Sequence, residues 1–374
     1  MYPLIYAARY EPDPGRTGWL LVHRDQSGMR RVAEVSDWLK VTAVSTSSPN
    51  TLKSQAEALA LWWRWCVESK VDPLRTDAVR FAGFVSALQS VPKGLPLTSP
   101  IRGLPGDPRL RQPTTVSQRV VHIKAFYRWA MANGQISAVT GRAVTGFKTP
   151  RAPKTMRASR LHPQQVKVLL AAPLSPRNRL AVALLYDAGL REGEALGLRI
   201  EDWCVNRDVA AVFGCRVSGG PHLHVRRRLN SNGAIAKSYY ERIVPISPRL
   251  TAAHRDWQAW AFDHIPHSVE CPYLLISLAG PTRGREWSIS GFISMWQDKV
   301  KTLPGLERAT PHLLRHTWAS ELIDAGVPSF TVQELLGHRS PSSTEVYTHA
   351  LSETLTAAVA ELSSWRQRVL GVTR

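Results

Sequence analysis

The chain has 374 residues, 44% of them apolar and 21% charged, with 48 Lys and Arg against 29 Asp and Glu, for a formal net charge of +19. The apolar content and 13 Trp exclude a disordered, collagen-like or disulfide-scaffold protein. A chain of this length predicts two domains, and a sequence pI near 10.3 points to a polyanionic partner, although excess charge also simply keeps a protein dispersed. Four Cys without a CxxC pair make no disulfide framework, so a reducing, cytoplasmic compartment is expected. Cys204 and Cys215 precede His222 and His224, which invites a zinc reading. The ten-residue gap between the two Cys matches no common finger spacing, so buried apolar thiols and no metal are expected. No apolar run is long enough to span a bilayer, and Met1–Pro12 lacks the features of a secretion signal.

Residues 1–45 are mixed. Gly18 to Val22 reads as a strand, followed by a turn at Gln26-Ser27-Gly28, and the sequence assigns the segment no task. Ser48 and Pro49 read as a helix N-cap and first turn. Leu52, Ala56, Leu59, Trp63 and Cys66 then line one helix face. A second helix is expected over Ala78–Leu88, and a Pro-rich loop spans Pro92 to Pro113. A third helix runs from Thr114 to Asn133 and is closed by Gly134. Its apolar face is Val116, Val120, Ile123, Tyr127 and Ala130, while Arg119, Lys124 and Arg128 lie elsewhere around it. Those cations suit a nucleic-acid clamp or an ordinary solvated face. Lys148, Arg151, Lys154, Arg157 and Arg160 recur every third residue among prolines, which predicts an extended basic linker able to follow a phosphate backbone.

The organisation expected is a 1–45 segment, a helical domain over 46–147, a linker over 148–160, a larger domain over 161–350 and a C-terminal helix over 351–374. In the larger domain, helices are predicted at His162–Ala172, Pro176–Ala188, Leu250–Ala261, Ile289–Thr302, His312–Ala325, Ser329–Leu336 and Leu355–Leu370. Strands are predicted at Asp208–Phe213, His222–Arg226 and Arg242–Ile246. The fold class is therefore mainly α with a small antiparallel β-sheet (α+β). No phosphate-binding glycine loop occurs, so no nucleotide cofactor is indicated.

Chemistry concentrates in a few boxes. Gly189-Leu-Arg191-Glu-Gly-Glu194 follows one helix, and His312-Leu-Leu-Arg315-His316 opens another. Leu335-Leu-Gly-His338 and then Tyr347-Thr-His349 come after it. Arginine is planar, bidentate and always charged, so Arg191 and Arg315 suit a phosphate clamp. His312 and Arg315 are i and i+3 and share a helix face. Gly337 reads as a helix C-terminus that turns His338 away from the axis. Each residue also has a plainer use. Arg191 can simply neutralise Glu194, His338 can cap a helix, and Tyr347 can be core. His312 and His316 lack the Glu of a zinc-protease helix, so no metal is read there.

Together, and in this order, the boxes resemble the tyrosine recombinase (phage integrase) family over about 160–350. The helical segment before them resembles that family's core-binding domain, and residues 1–45 lie outside the resemblance. The resemblance implies a C-shaped clamp on DNA and a catalytic set of Arg191, Lys237, His312, Arg315, His338 and Tyr347. Tyr347 would be the nucleophile; no other tyrosine lies C-terminal to Arg315. Lys237 would be the general acid, on a hairpin before the strand Glu241-Arg-Ile-Val-Pro-Ile246. It is the sole Lys between Arg191 and Lys299, but the stretch joining it to Arg191 is about twice as long as the family usually shows. The implied function is a site-specific DNA recombinase, an integrase or transposase of a mobile element. It would work without cofactor or metal, as a homo-tetramer on paired double-stranded sites and off the membrane, with accessory proteins left open. Alternatives are a Xer-like chromosome-dimer resolvase, a type IB topoisomerase and a catalytically silent DNA-binding regulator. The C-terminal helix, with Leu355, Val359, Leu362, Trp365 and Val369 on one face, is expected either to dock on a neighbouring protomer or to pack on its own domain.

Overall fold

The computed structural model describes residues 4–13, 16–45, 49–104, 106–151, 160–205, 212, 214–215, 217, 220–236, 241–266, 270–337 and 353–371. It divides into two compact units, Met1–Thr155 and Met156–Arg374. Both are mainly helical, and each carries a three-stranded antiparallel sheet, one more sheet than the sequence suggested.

The first unit begins with β1 (Leu4–Asp13), β2 (Arg16–Asp25) and β3 (Gly28–Arg31), followed by α1 (Ala33–Ser45). Gly28 at φ +122° closes the β2–β3 turn, where the Ser27 amide donates to Asp25 Oδ1 at 2.9 Å. The helices α2 (Pro49–Glu68), α3 (Ala78–Ser90), α4 (Pro113–Ala132) and α5 (Ala138–Thr145) complete the unit. Asp77 and Ser137 accept backbone amides at the starts of α3 and α5, as N-caps do. The predicted apolar faces of α2 and α4 are buried, and they meet in an aromatic core of Trp62, Trp63, Phe81, Phe84, Phe126 and Tyr127. Trp62 Nε1 donates to the Tyr127 hydroxyl at 2.9 Å, so the buried polar tips satisfy each other. Ile5, Leu21, Val35, Trp38 and Leu39 enter the same core. Residues 1–45, to which sequence reading assigns no task, thus pack with the helices that follow.

In the second unit, α6 (Pro163–Ala171) leads to α7 (Pro176–Tyr186), whose residues from Leu180 to Tyr186 are all buried. A helix apolar on every side is a central helix, and α9 (Pro248–His264) and α11 (Pro311–Asp324) pack on it. Between them come α8 (Glu192–Leu196) and a small sheet of β4 (Trp203–Cys204), β5 (His222–Val225) and β6 (Arg242–Pro245). The strand expected at Asp208–Phe213 lies outside the described residues except for Val212. The long helix expected at Ile289–Thr302 is instead α10 (Ile289–Met295) followed by a π-helical turn, Trp296–Val300. That turn lets Trp296 sit in the core and donate from Nε1 to the Ala309 carbonyl at 3.0 Å.

The end of the unit is α12 (Ser329–Leu336) and α13 (Glu353–Leu370). The face of α13 is occupied within the chain. Leu355, Ala358 and Leu362 pack against Trp318, Leu322, Val332 and Leu335. Arg366 takes the next buried position, pairing with Asp187 at 2.8 Å and Glu321 at 2.6 Å and lying over the Tyr186 ring. Val369, expected on that face, is exposed. The buried ion pairs shift the inward stripe onto Arg366 and Leu370, and α13 packs in cis.

Candidate active site

The site is built around one turn. Gly189 takes φ +59°, a left-handed conformation open to glycine, and a Cβ there would stand 2.2 Å from the Trp318 ring. The turn hands the chain to Arg191, the N-cap of α8. Its amide donates to Glu194 Oε2 at 2.9 Å, and its Nη1 pairs with Glu194 Oε1 at 2.8 Å.

Glu194 has no exposed side-chain surface, and among the described residues three guanidinium groups meet on it. Arg242 of β6 is bidentate, at 2.7 and 3.1 Å, and Arg315 of α11 approaches to 3.5 Å. Burial pushes the Glu194 carboxyl up, but Arg242, the Arg191 amide and Arg315 outweigh it and hold it down at about 2. Burial, with Arg191 and Arg242 nearby, lowers Arg315 to about 9 against the opposing pull of Glu194. One carboxylate facing three guanidinium groups leaves a local surplus of positive charge. Arg191, with 24% of its side chain exposed, presents part of that surplus at the surface. The plainer use of Arg191 is thus observed: it pairs with Glu194, and that pairing fixes its guanidinium in place.

Arg242 and Arg315 also hold the C-terminal end of α12. Arg242 Nε donates to the Leu335 carbonyl at 3.0 Å, and Arg315 donates to the carbonyls of Leu336 and Gly189. Cations at a helix C-terminus satisfy its orphan carbonyls and its dipole. Gly337 follows at φ +65°, the left-handed stop expected from the sequence, with its would-be Cβ 3.0 Å from Arg242. Arg242 was not singled out by sequence reasoning; the signal available was its place in the Glu241–Ile246 strand. His312 stands in the first turn of α11, one turn before Arg315. Its ring meets His316 edge-on at 4.4 Å, and Thr310 caps the helix.

Lys237, His338 and Tyr347 lie outside the described residues. The loop leading to Lys237 is firmly held. Asn232 Nδ2 donates to the Leu196 and Trp287 carbonyls at 3.0 Å, Asn230 Nδ2 donates to the Ala234 carbonyl at 2.7 Å, and Ala234 and Ala236 are buried. Part of the extra length before Lys237 is thus packed against α8.

Of the expected DNA-facing cations, Arg128 and Arg151 are exposed, and Lys148 and Arg151 line a cavity of about 620 Å³ with Thr114 and Ser117. Arg119 is half-buried with Nε and Nη1 enclosed, and burial lowers its pKa. Lys124 donates to the Phe147 carbonyl at 2.8 Å, and Arg160 pairs with Asp324. Lys154 and Arg157 lie outside the described residues. Where buried thiols and no metal were expected, the side chains of Cys204, Cys215, His222 and His224 come together on the small sheet, their donor atoms all within 4.8 Å of one another.

A partly exposed guanidinium locked to a buried carboxylate beside further arginines concentrates positive charge on an already basic chain. Residues 159–354 match the family described as the phage integrase family. Tyrosine recombinase XerC of Mycobacterium leprae is 29% identical over 244 residues, covering 63% of this chain and 72% of that one. XerC of Mycobacterium tuberculosis is 29% identical over 264 residues, covering 68% and 76%. Among solved structures, a lambda integrase dimer bound to a COC' core site is 14% identical with a TM-score of 0.53, covering 84% of this chain and 98% of that one. XerH site-specific recombinase bound to difH substrate is 15% identical with a TM-score of 0.50, covering 89% and 82%. At such identities these structures show the shared fold. The class is a tyrosine-type site-specific recombinase, a DNA strand transferase. The chain belongs to the phage integrase family.

Proposed function

We propose that this recombinase is the integrase or transposase of a mobile element, and that it cuts and rejoins DNA through a 3′-phosphotyrosine at Tyr347. The Tyr347 oxygen attacks the scissile phosphorus and passes its proton to His312. The bond from phosphorus to the 5′ oxygen breaks, and Lys237 gives that oxygen a proton. Arg191, Arg315 and His338 hold the non-bridging oxygens while charge builds. The 5′-hydroxyl of a partner strand then attacks the phosphotyrosine, and Tyr347 leaves. The bond energy is kept in the protein–DNA link, so the cycle is balanced without an external energy source.

The observation that carries this reading is the gathering of Arg191, Arg242 and Arg315 on Glu194. It brings together the two arginines of the separated sequence boxes and places Gly337, which precedes His338, beside Arg242. We further assign Arg128, Lys148 and Arg151 to phosphate contacts, and the first unit, with its N-terminal sheet, to DNA gripping. Each unit contacts duplex DNA, four protomers work on two sites, and the setting is the cytoplasm. No helix among the described residues is long and apolar enough to cross a membrane. The similarity to XerC favours a second reading, a chromosome-dimer resolvase. The test uses nicked duplexes carrying either the repeats that flank the gene or a chromosomal terminus site. Cleavage of the flanking repeats, lost in Tyr347→Phe, supports the mobile-element reading. Cleavage of the terminus site alone supports the resolvase, and cleavage that survives in Tyr347→Phe rejects both.

A further inference from the structure

The small sheet of the second unit holds chemistry that strand transfer does not use. β4 pairs with β5 so that Cys204 stands directly across from His222. His222 and His224 are i and i+2 on one strand, so their side chains project to the same face. Cys215 comes in from the connection between β4 and β5. Its Sγ lies 3.4 Å from His222 Nε2 and 3.2 Å from His224 Nε2. Cys204, His222 and His224 are buried, at 1%, 3% and 3% exposure.

The far nitrogens of both rings are already committed. His222 Nδ1 meets the Gly220 carbonyl at 2.9 Å, and His224 Nδ1 meets a Glu241 carboxylate oxygen at 2.6 Å. A carbonyl or carboxylate only accepts, so each Nδ1 carries the proton and donates. In the neutral rings each Nε2 then offers a lone pair, and both lone pairs point at the same sulfur. One thiol has one proton and can satisfy one of them. The Cys215 sulfur also accepts the Val217 amide at 3.4 Å, a bond that suits a thiolate. Two buried lone pairs and two sulfurs facing one another call for a cation between them.

We propose that Cys204, Cys215, His222 and His224 form a structural zinc site. Two thiolates and two imidazole nitrogens are the tetrahedral set that selects zinc among common divalent ions. At ordinary zinc–sulfur and zinc–nitrogen distances, tetrahedral donor atoms stand about 3.3–3.8 Å apart. The two sulfur–nitrogen distances here, 3.4 and 3.2 Å, already lie close to that spacing. Gly220 and Glu241 supply the outer hydrogen bonds that orient metal-bound imidazoles. The structural consequence is local. The sheet has strands of only two and four residues, too short to be firm alone. Zinc ties β4, β5 and the insertion between them into one piece, and through Glu241 it also anchors the strand that follows Lys237. The metal is a positioning element for that loop and does not touch the DNA.

The test is metal content and spectroscopy on the full chain, expressed without a histidine tag and purified under reducing conditions without chelator. The protein should carry about one equivalent of zinc. Replacement by cobalt(II) should give the strong visible bands of a tetrahedral site, with thiolate-to-metal charge transfer in the near ultraviolet. Cys204→Ser and Cys215→Ser should each lose the charge-transfer intensity and hold below about a tenth of an equivalent of zinc. Cys66→Ser and Cys271→Ser should retain both. The wild-type cobalt spectrum needs no variant to fold. A reduced wild type that takes up neither zinc nor cobalt overturns the proposal. So does zinc that survives loss of both Cys204 and Cys215, or a Cys204–Cys215 disulfide in protein kept reduced.

Discussion

Replacing Glu194 by Gln preserves shape and removes the charge on which Arg191, Arg242 and Arg315 converge. The Glu194 carboxyl is held at about 2 against an ordinary value of 4.5. A depression of that size corresponds to about 3 kcal/mol favouring the ionised form in the folded protein. A carboxyl with a depressed folded pKa adds stability above its unfolded pKa and loses it as the pH falls through the folded value. The contribution is therefore complete above pH 4.5 and fades toward pH 2. Breaking a buried ion pair on one side typically costs about 3–5 kcal/mol, because the remaining charges stay buried without their partner. Glu194→Gln should accordingly destabilise the second unit by about 3 kcal/mol at pH 7, lowering its melting temperature by about 6–12 °C. Calorimetry at pH 7 and at pH 3 reads this directly, and the gap between variant and wild type should narrow at the lower pH. A variant as stable as wild type at pH 7, or a deficit independent of pH, would refute the central role given to Glu194.

Lys237→Ala should slow cleavage by about 10²–10⁴-fold, and a 5′-bridging sulfur, which leaves without a proton, should restore the rate for that variant but not for Arg191→Ala. Gel-quench kinetics on both substrates check it, and failure of sulfur rescue removes Lys237 as the general acid. Arg366→Met leaves Glu321 buried without its cation and Asp187 with Arg249 alone, and should cost about 3 kcal/mol, read by thermal unfolding; an unchanged melting curve would mean α13 does not pack in cis in solution. Replacing Arg128, Lys148 and Arg151 by Gln should reduce the slope of log affinity against log salt by about 0.9 for each phosphate no longer neutralised. An unchanged slope in a salt titration would place the DNA elsewhere.

Much of this was legible where local periodicity decides structure. The buried faces of α2 and α4 follow from apolar spacing, and the end of α12 follows from Gly337. The central helix α7 showed no one-sided pattern because it is covered all round. β2 was legible in part, at Gly18–Val22 and the turn after it, whereas β1 was obscure because Ile5 is the one fully buried hydrophobic among its described residues, so its alternation is weak. On α13, periodicity pointed to Val369, while the paired charges on Arg366 and Asp187 set the true inward stripe. Arg242 looked like an ordinary polar position in a strand, because its worth lies in what faces it across the fold. The Cys and His quartet was visible in the sequence but was set aside on its spacing. Finger spacings describe ligands brought together by a local turn, whereas Cys204 meets His222 through strand register. Sequence spacing carries no trace of that register.

The central claim is that Tyr347 becomes covalently joined to DNA. The direct measurement is mass spectrometry of the covalent complex trapped on a nicked substrate carrying the flanking repeats, after protease and nuclease digestion. The account predicts a nucleotide attached through a 3′-phosphate to the peptide containing Tyr347, and no adduct from Tyr347→Phe. An adduct on any other residue, or a trapped complex that forms undiminished in Tyr347→Phe, would contradict it.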